Sequence, residues 1–348
     1  MVKKREMVSV LTGFGLTKLE AELYLTLLIK GETEAKEIVR ALNIHFPQFY
    51  SIINNLARKG FIETQESRPK KYRAVDLKEI IEREQQKMNQ NAEFLLKSIK
   101  KLQSTRSTKQ RPSIWITKGF QNILHNLNAI IKEAQFDVTV ILHNKFISRI
   151  IKSLIKKQKE GVQTYLVIYP TPPEPNLMRQ VNEIRRVRLF ETYPFGISVV
   201  ADSEKALLAH GLPEKPLFEG PYGVVFIESL LPTFLSENFY TLWDHAKPLV
   251  PQEKSAQFPK IFRSHRLALI EIKDLLNKGE VTVQVKGRYI QTGEPFEETG
   301  TIVNVTETEL LKNFTLRLRS GNMIEIGGPY ATLEEVEAEL ITILKLTT

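Results

Sequence analysis

The stretch 17–75 leaves this chain the least freedom. Thr17 can cap a helix, with Glu20 three residues on closing a capping box. Leu19, Leu23, Leu27 and Leu28 then recur at helical spacing until Gly31 stops the run. Thr33 opens a second short helix carrying Ala35, Ile38, Val39 and Leu42, and Asn43 ends it. Pro47 sits at the start of a third helix, predicted to turn Tyr50, Ile53, Leu56 and Ala57 inward and to stop at Lys59-Gly60. Residues 61–64 and 72–75 read as two short strands around the tip 65–71, which carries Arg68, Lys70 and Lys71. Three helices and a basic two-stranded wing predict a winged helix-turn-helix over residues 1–75. In that architecture the third helix enters the DNA major groove and the wing reaches phosphate.

The charge distribution agrees. Residues 1–113 carry 22 Lys and Arg against 13 Asp and Glu; the remainder carries 27 against 27. The whole excess of +9 therefore lies in the first third, an electrostatic footprint suited to nucleic acid on one module alone. On the outward face of the third helix the spacing places Gln48, Ser51, Asn54, Asn55 and Arg58. Gln and Asn can bond adenine bidentately, and Ser can bond phosphate or a base edge. Arg68, Lys70 and Lys71 suit backbone phosphate.

Residues 76–112 read as a helical linker. Ile81, Met88, Leu95 and Leu102 are seven apart, with Ala92 and Ile99 at the intermediate positions. Such a seam predicts a coiled coil between two copies of the chain, a homodimer presenting two readers to a pseudo-palindromic double-stranded site. The polar, basic stretch 104–112 marks a boundary. From residue 113 strands and helices alternate: strands near 114–116, 138–142, 163–169, 186–191, 196–201, 206–209 and 223–226, with helices at 119–134, 146–159 and 231–246. That order predicts an α/β domain with parallel elements over 113–260. A helix at 261–277 and strands near 281–289, 298–306, 314–318, 323–326 and 336–343 predict a small, mostly antiparallel β domain over 261–348.

Several classes are excluded or disfavoured. The chain has no cysteine, so disulfides, thiolate catalysis and Cys-bound zinc or iron–sulfur centres are ruled out. The six histidines are scattered and form no HExxH-type pair, and no metal or cofactor is expected. No run approaches the roughly 20 apolar residues of a membrane span, and the start 1–6 lacks a secretory pattern, so a cytoplasmic protein with no membrane partner is expected.

Taken in order, these features resemble the TrmB family of archaeal sugar-responsive transcriptional regulators. The resemblance is carried by Gly15-Leu16-Thr17-Lys18-Leu19-Glu20-Ala21, by Tyr50, and by Leu56-Ala57-Arg58-Lys59-Gly60-Phe61. It continues through Pro112-Ser113-Ile114-Trp115 with Gly119-Phe120, and Gly327-Gly328. It implies an effector domain built like half of a phospholipase D domain, a C-terminal sugar-binding β domain, and a dimer whose hold on promoter DNA is altered by an α-glucoside such as maltose. Carried over, the sugar contacts fall at Asn313, Gly327, Gly328 and Glu334. Asn and Glu side chains bond hydroxyls, and glycines let backbone approach a sugar ring.

Two features depart from the family pattern. Gln48 and Ser51 stand where an Arg and an Asp are common, and Pro329-Tyr330 differs from maltose-binding relatives. The rival readings are a sugar-independent architectural DNA binder and a phospholipase-like phosphodiesterase. The latter needs a His nucleophile, a Lys two residues on and an Asp five beyond. Ending the set on Asp202 puts Phe195 and Ile197 in the first two places, and starting it at His143 and Lys145 puts Ile150 in the last. Both sets are broken, so no catalytic residue is expected.

Overall fold

The computed structural model describes residues 2–103, 112–194, 196–210, 220–250, 257–308 and 311–347. The chain divides into two compact units, residues 1–108 and 109–348. The boundary stretch 104–111, Phe195, and most of the loop between the α/β and β portions (251–256) lie outside the described residues.

The first unit runs α1 (Val2–Gly13), α2 (Lys18–Lys30), β1 (Thr33–Glu34), α3 (Ala35–Leu42), α4 (Phe46–Arg58), β2 (Ile62–Gln65), β3 (Lys71–Ala74) and α5 (Leu77–Gln103). The capping box forms: the Thr17 side chain accepts from the Glu20 N–H, and the Glu20 carboxylate accepts from the Thr17 N–H. Lys59 reaches the same carboxylate at 2.7 Å, tying the end of α4 to the start of α2. Spacing alone gives little sign of α1, because among its described residues only Val8 and Leu11 are buried. Thr33 does not open a helix. It pairs with Tyr72 of the hairpin, and α3 starts two residues later.

α4, the helix counted third from sequence, is rotated by about one residue from the expected face. Phe49, Ile52, Ile53 and Leu56 are buried, an i, i+3, i+4, i+7 set. Tyr50 and Ala57 point outward instead. β2 and β3 pair in register from Ile62 with Ala74 to Gln65 with Lys71, so Gln65 and Lys71 belong to the strands and the tip is shorter than expected. α5 is anchored at its start by buried Ile80 and by Arg83, which donates to the carbonyls of Gly60 and Lys59.

The second unit continues with β4 (Ser113–Lys118), α6 (Phe120–Glu133), β5 (Asp137–His143), a 3-10 turn (Asn144–Arg149), α7 (Ile151–Lys159), β6 (Gln163–Tyr169), α8 (Pro175–Val181) and β7 (Arg186–Leu189). Then come β8 (Ile197–Ala201), β9 (Lys205–Ala209), β10 (Tyr222–Ile227), α9 (Leu230–His245) and β11 (Lys247–Pro248). Among the described residues these strands form one eight-stranded sheet, in the order β11-β7-β6-β5-β8-β9-β10-β4. β5, β6 and β7 run parallel, while the others pair antiparallel. β5 is buried along its whole length, as expected of a strand covered on both faces.

The last elements are β12 (Lys260–Phe262), α10 (His265–Leu276), β13 (Glu280–Tyr289), β14 (Pro295–Glu307), β15 (Lys312–Leu318), β16 (Met323–Gly327) and β17 (Val336–Thr347). The helix expected from residue 261 begins at His265, because residues 260–262 pair with β17 and Ser264 caps the helix. This sheet is antiparallel except where β16 also pairs parallel with β17, at Ile326 with Val336 and Gly327 with Glu337. That pairing closes the sheet on itself.

One continuous core joins the two sheets. Tyr165, Val167 and Tyr169 of β6 pack with Phe239 and Trp243 of α9, and through them with Phe262, Leu269, Val283 and Phe314 of the C-terminal part. A buried ion cluster adds to this contact: Glu271 of α10 pairs with Lys260 and, at 2.6 Å, with Arg186 of β7. Asp137 of β5 accepts from the backbone N–H groups of Arg263 (2.6 Å) and Ser264 (2.8 Å), holding the start of α10 against the large sheet.

Candidate DNA-reading face and ligand cavity

Two places in the chain gather groups able to bind something. The first is α4 with the β2–β3 hairpin. Gln48, Ser51, Asn54 and Arg58 are exposed on α4 and Asn55 is half-buried beside them. Arg58 donates to the Asn55 side-chain oxygen, so these two act as a coupled pair. Tyr50, 48% exposed, stands on the same outward side with its ring edge-on to Phe49 at 5.3 Å, opposite to the inward side expected from its spacing. At the hairpin Arg68 and Lys70 are exposed and Lys71 half-buried. Lys70 is held by Glu66 at 2.8 Å, and Lys71 lies 4.0 Å from Glu32. Both pairs are exposed enough to exchange for phosphate at little cost.

Along α5, Met88, Leu95 and Ile99 are 75%, 56% and 45% exposed, Ala92 is exposed and Ile81 is half-buried. The side chain of Leu102 lies outside the described residues. Phe94 and Leu96 add to this uncovered apolar run from outside the heptad positions.

The second place is a cavity of about 310 Å³ in the second unit. That lies at the low end of the roughly 300–1,000 Å³ usual for small-ligand sites. Its walls come from segments far apart in sequence: Ser236 and Tyr240 of α9, Ser264, His265 and Arg266 at the start of α10, and residues of the segment 328–334 after β16. The four residues carried over from the resemblance meet at this wall. Gly328 and Glu334 line the cavity, and Asn313 and Gly327 stand against Glu334. The Asn313 side-chain amide, buried, donates to the Glu334 carboxylate at 3.5 Å. A Cβ on Gly327 would stand 2.8 Å from the Glu334 carboxyl carbon, and one on Gly328 would stand 3.0 Å from His265 Nδ1. Any side chain at either glycine would therefore displace a cavity group, which answers why glycine is needed here.

Both cations lining the cavity are paired. Arg266 pairs with Glu237 at 2.8 Å and lies 4.5 Å from the centre of the Tyr240 ring. Lys312 pairs with Glu307 at 3.1 Å. The Tyr240 hydroxyl is hydrogen-bonded to the Ser264 hydroxyl. His265 differs: it is 4% exposed, stacks on Phe314 with ring centres 5.9 Å apart, and its Nε2 has no hydrogen-bond partner among the described residues. Burial, aided by the Arg266 charge and opposed by a backbone hydrogen bond to Ile326, pushes its pKa down to about 4. The imidazole is thus neutral at pH 7, one nitrogen carrying a proton and the other a free lone pair. No sequence pattern marks any of these α9 and α10 residues.

The residues nearest to a phosphodiesterase set do other work. Asp202 accepts from the backbone N–H groups of Gln135, Phe136 and Asp137 at 2.8, 2.8 and 3.0 Å. His143 Nδ1 accepts from the Lys145 backbone N–H at 3.2 Å, and Ile150 is fully buried. Among the described residues no group of three or more His, Asp or Glu is placed to hold a metal ion. No helix among them is long and apolar enough to cross a membrane.

Comparison with known proteins places these features. Three family models match in succession: "Sugar-specific transcriptional regulator TrmB" over residues 11–78, the N-terminal subdomain of the TrmB effector-binding region over 113–249, and the TrmB/TrmBL1 C-terminal subdomain over 257–345. The chain belongs to the TrmB family. A relative from Pyrococcus furiosus, the HTH-type sugar sensing transcriptional regulator TrmBL1, is 24% identical over 343 residues, spanning 98% of this chain and 99% of that protein. A second protein from the same organism, the putative HTH-type transcriptional regulator TrmBL2, is 24% identical but spans 48% of this chain and 68% of its own length. The solved structure of TrmBL2, described as an archaeal chromatin protein, covers 70% of this chain and 100% of its own at 20% identity, with a TM-score of 0.45. The relatives matched along the chain are transcription regulators, not enzymes, and this TrmB-family chain is a regulator of that kind.

Proposed function

We propose that this TrmB-family protein is a homodimeric, sugar-responsive transcription regulator, cytoplasmic, that binds a pseudo-palindromic promoter site. The single observation carrying the sugar reading is the convergence of Asn313, Gly327, Gly328 and Glu334 on one wall of the cavity. The winged helix-turn-helix of residues 1–75 is the reader. Gln48, Ser51, Asn54, Asn55 and Arg58 face base edges, joined by Tyr50, and Arg68, Lys70 and Lys71 meet phosphate. The helical linker 76–112 joins two copies through Met88, Ala92, Leu95, Ile99 and Leu102, with Ile81 at its start. The exposure of the described part of this seam supports that use.

The phospholipase-D-like body of residues 113–260 serves as a scaffold without catalysis, and residues 261–348 supply the other wall of the sugar site. The sugar, a neutral α-glucoside of the maltose kind, acts by binding one arrangement of the dimer better than the other. The architectural, sugar-independent reading is the weaker one. The relatives named TrmBL2 match only 48% of this chain, whereas the sugar-sensing relative matches 98%.

The test is fluorescence anisotropy of the protein on its own upstream DNA with maltose, glucose, sucrose or trehalose. The expected result is salt-sensitive binding that one sugar changes about 5- to 150-fold. DNA affinity indifferent to every sugar would leave the architectural reading in its place.

A further inference from the structure

Among the described residues, the charged groups and several hydroxyls around the cavity have protein partners, and one buried ring nitrogen does not. Glu334 takes Asn313, Arg266 takes Glu237, Lys312 takes Glu307, and Tyr240 takes Ser264. His265 lines the same space with its ring: the Nδ1 edge faces Gly328, another lining residue, and the buried Nε2 has no partner among the described residues. A buried polar atom without a hydrogen bond is uncommon in folded proteins and needs a cause, and an expected ligand is one. The ring cannot swing away cheaply. Its stack on Phe314 at 15° between planes and the close approach of Gly328 fix its position at the first turn of α10.

We propose that His265 is a sugar-contacting, specificity-determining residue, its imidazole taking a hydrogen bond from one ligand hydroxyl. This deepens the sugar-sensing reading and rests on it. A neutral imidazole with one free lone pair asks for an O–H donor, so the ligand must carry a free hydroxyl at that position. The neighbouring charges restrict the class further. Both cations lining the cavity are already paired, and Glu237 and Glu334 line it too, so a sugar phosphate or sugar acid would meet carboxylates with no spare cation. The site therefore selects neutral, unphosphorylated sugars and rejects an analogue lacking or blocking the recognised hydroxyl. A group built to receive a hydrogen bond discriminates strongly when the donor is missing.

The experiment uses the full chain and isothermal titration calorimetry. Wild type is first titrated with maltose, trehalose, sucrose and glucose, then with the monodeoxy and 6-phosphate forms of whichever binds. If no sugar binds, the sugar-sensing reading itself fails and takes the His265 assignment with it; the variants test His265 alone. His265→Phe keeps the stack on Phe314 and removes both ring nitrogens. It is expected to lower affinity for the wild-type sugar about tenfold or more, while affinity for one monodeoxy analogue barely changes, so the preference between the two collapses. His265→Gln, which restores an amide near the ε position, is expected to recover part of that preference and stands in should the Phe variant fail to fold. Sugar-free DNA binding of each variant checks folding. A His265→Phe protein that binds the sugar and ranks every deoxy analogue as wild type does would overturn the proposal. So would 6-phosphate binding as tight as that of the free sugar.

Discussion

The reading face of α4 and the cavity of the second unit hold similar residue types in opposite circumstances. On α4, Gln48, Ser51 and Asn54 are exposed, free to pair with whatever approaches. In the cavity wall Asn313 and His265 are buried, one paired with Glu334 and the other with its Nε2 left open. A surface that reads a polymer works through long-range charge and the exchange of water for base edges. A cavity that senses a small molecule works by fixing a few groups so closely that a misplaced hydroxyl is costly. The same substitution should therefore act differently in the two places: gradually on α4 and the hairpin, all-or-none in the cavity.

The strongest way to break that contrast is the double variant Asn313→Ala, Glu334→Ala. It is expected to abolish the sugar response while leaving sugar-free DNA affinity within about twofold, read by anisotropy with and without sugar. A normal response would move the sugar site elsewhere. Next in size is the seam of α5. Leu95→Glu with Ile99→Glu is expected to turn a dimer into a monomer in analytical ultracentrifugation and to weaken DNA binding by at least about a hundredfold, because two tethered readers gain effective concentration that one lacks. A dimer that persists would place the contact outside α5.

On the DNA side, Arg68→Ala should reduce affinity evenly across DNA sequences and lower the slope of log affinity against log salt by about one unit. Lys70→Ala should do the same, because its exposed pair with Glu66 exchanges for phosphate at little cost. Sequence-dependent losses at both positions would contradict phosphate contact.

The smallest effects sharpen the contrast through pH. Burial favours the neutral form of Glu20, but Lys59 and the Thr17 N–H outweigh it and hold the carboxyl below its ordinary range. Its stabilising share is thus present above the unfolded-state pKa and lost as pH falls through the folded one. Glu20→Gln should cost the first unit about 1 kcal/mol at pH 7 in urea denaturation and flatten its acid limb. Asp137 has the opposite sign. Burial, with Asp202 adding to it, raises its pKa from 3.8 to about 7 despite two N–H donors. The folded state then holds the extra proton, so the second unit should lose stability as pH rises from about 4 to about 7. Asp137→Asn should remove that slope.

Legibility from sequence follows the same divide. The capping box at Thr17 and Glu20, the strand at 163–169 and the polar face of α4 are local patterns, and all three form. The inward face of α4 differs by one position from its spacing because Phe49 and Tyr50 are adjacent aromatics, and only packing against Tyr72 of β3 decides which turns in. The cavity is half legible. Asn313, Gly327, Gly328 and Glu334 lie close together in the C-terminal sequence, where the family resemblance reaches them. Ser236, Tyr240 and His265 lie 69 to 98 residues earlier than Glu334, and no periodicity links them to it. They are brought there by the core shared between the two sheets and by Asp137 holding the start of α10.

Coupling of the cavity to the reading face within one molecule is the central claim, and a closed thermodynamic cycle tests it most directly. DNA affinity is measured with and without the effective sugar, and sugar affinity with and without saturating operator DNA, at one salt concentration. Linkage requires the two ratios to be equal, and the predicted shared value lies between about 5 and 150. Both ligands binding with both ratios equal to one would mean that the cavity and the reader share a chain without sharing a function.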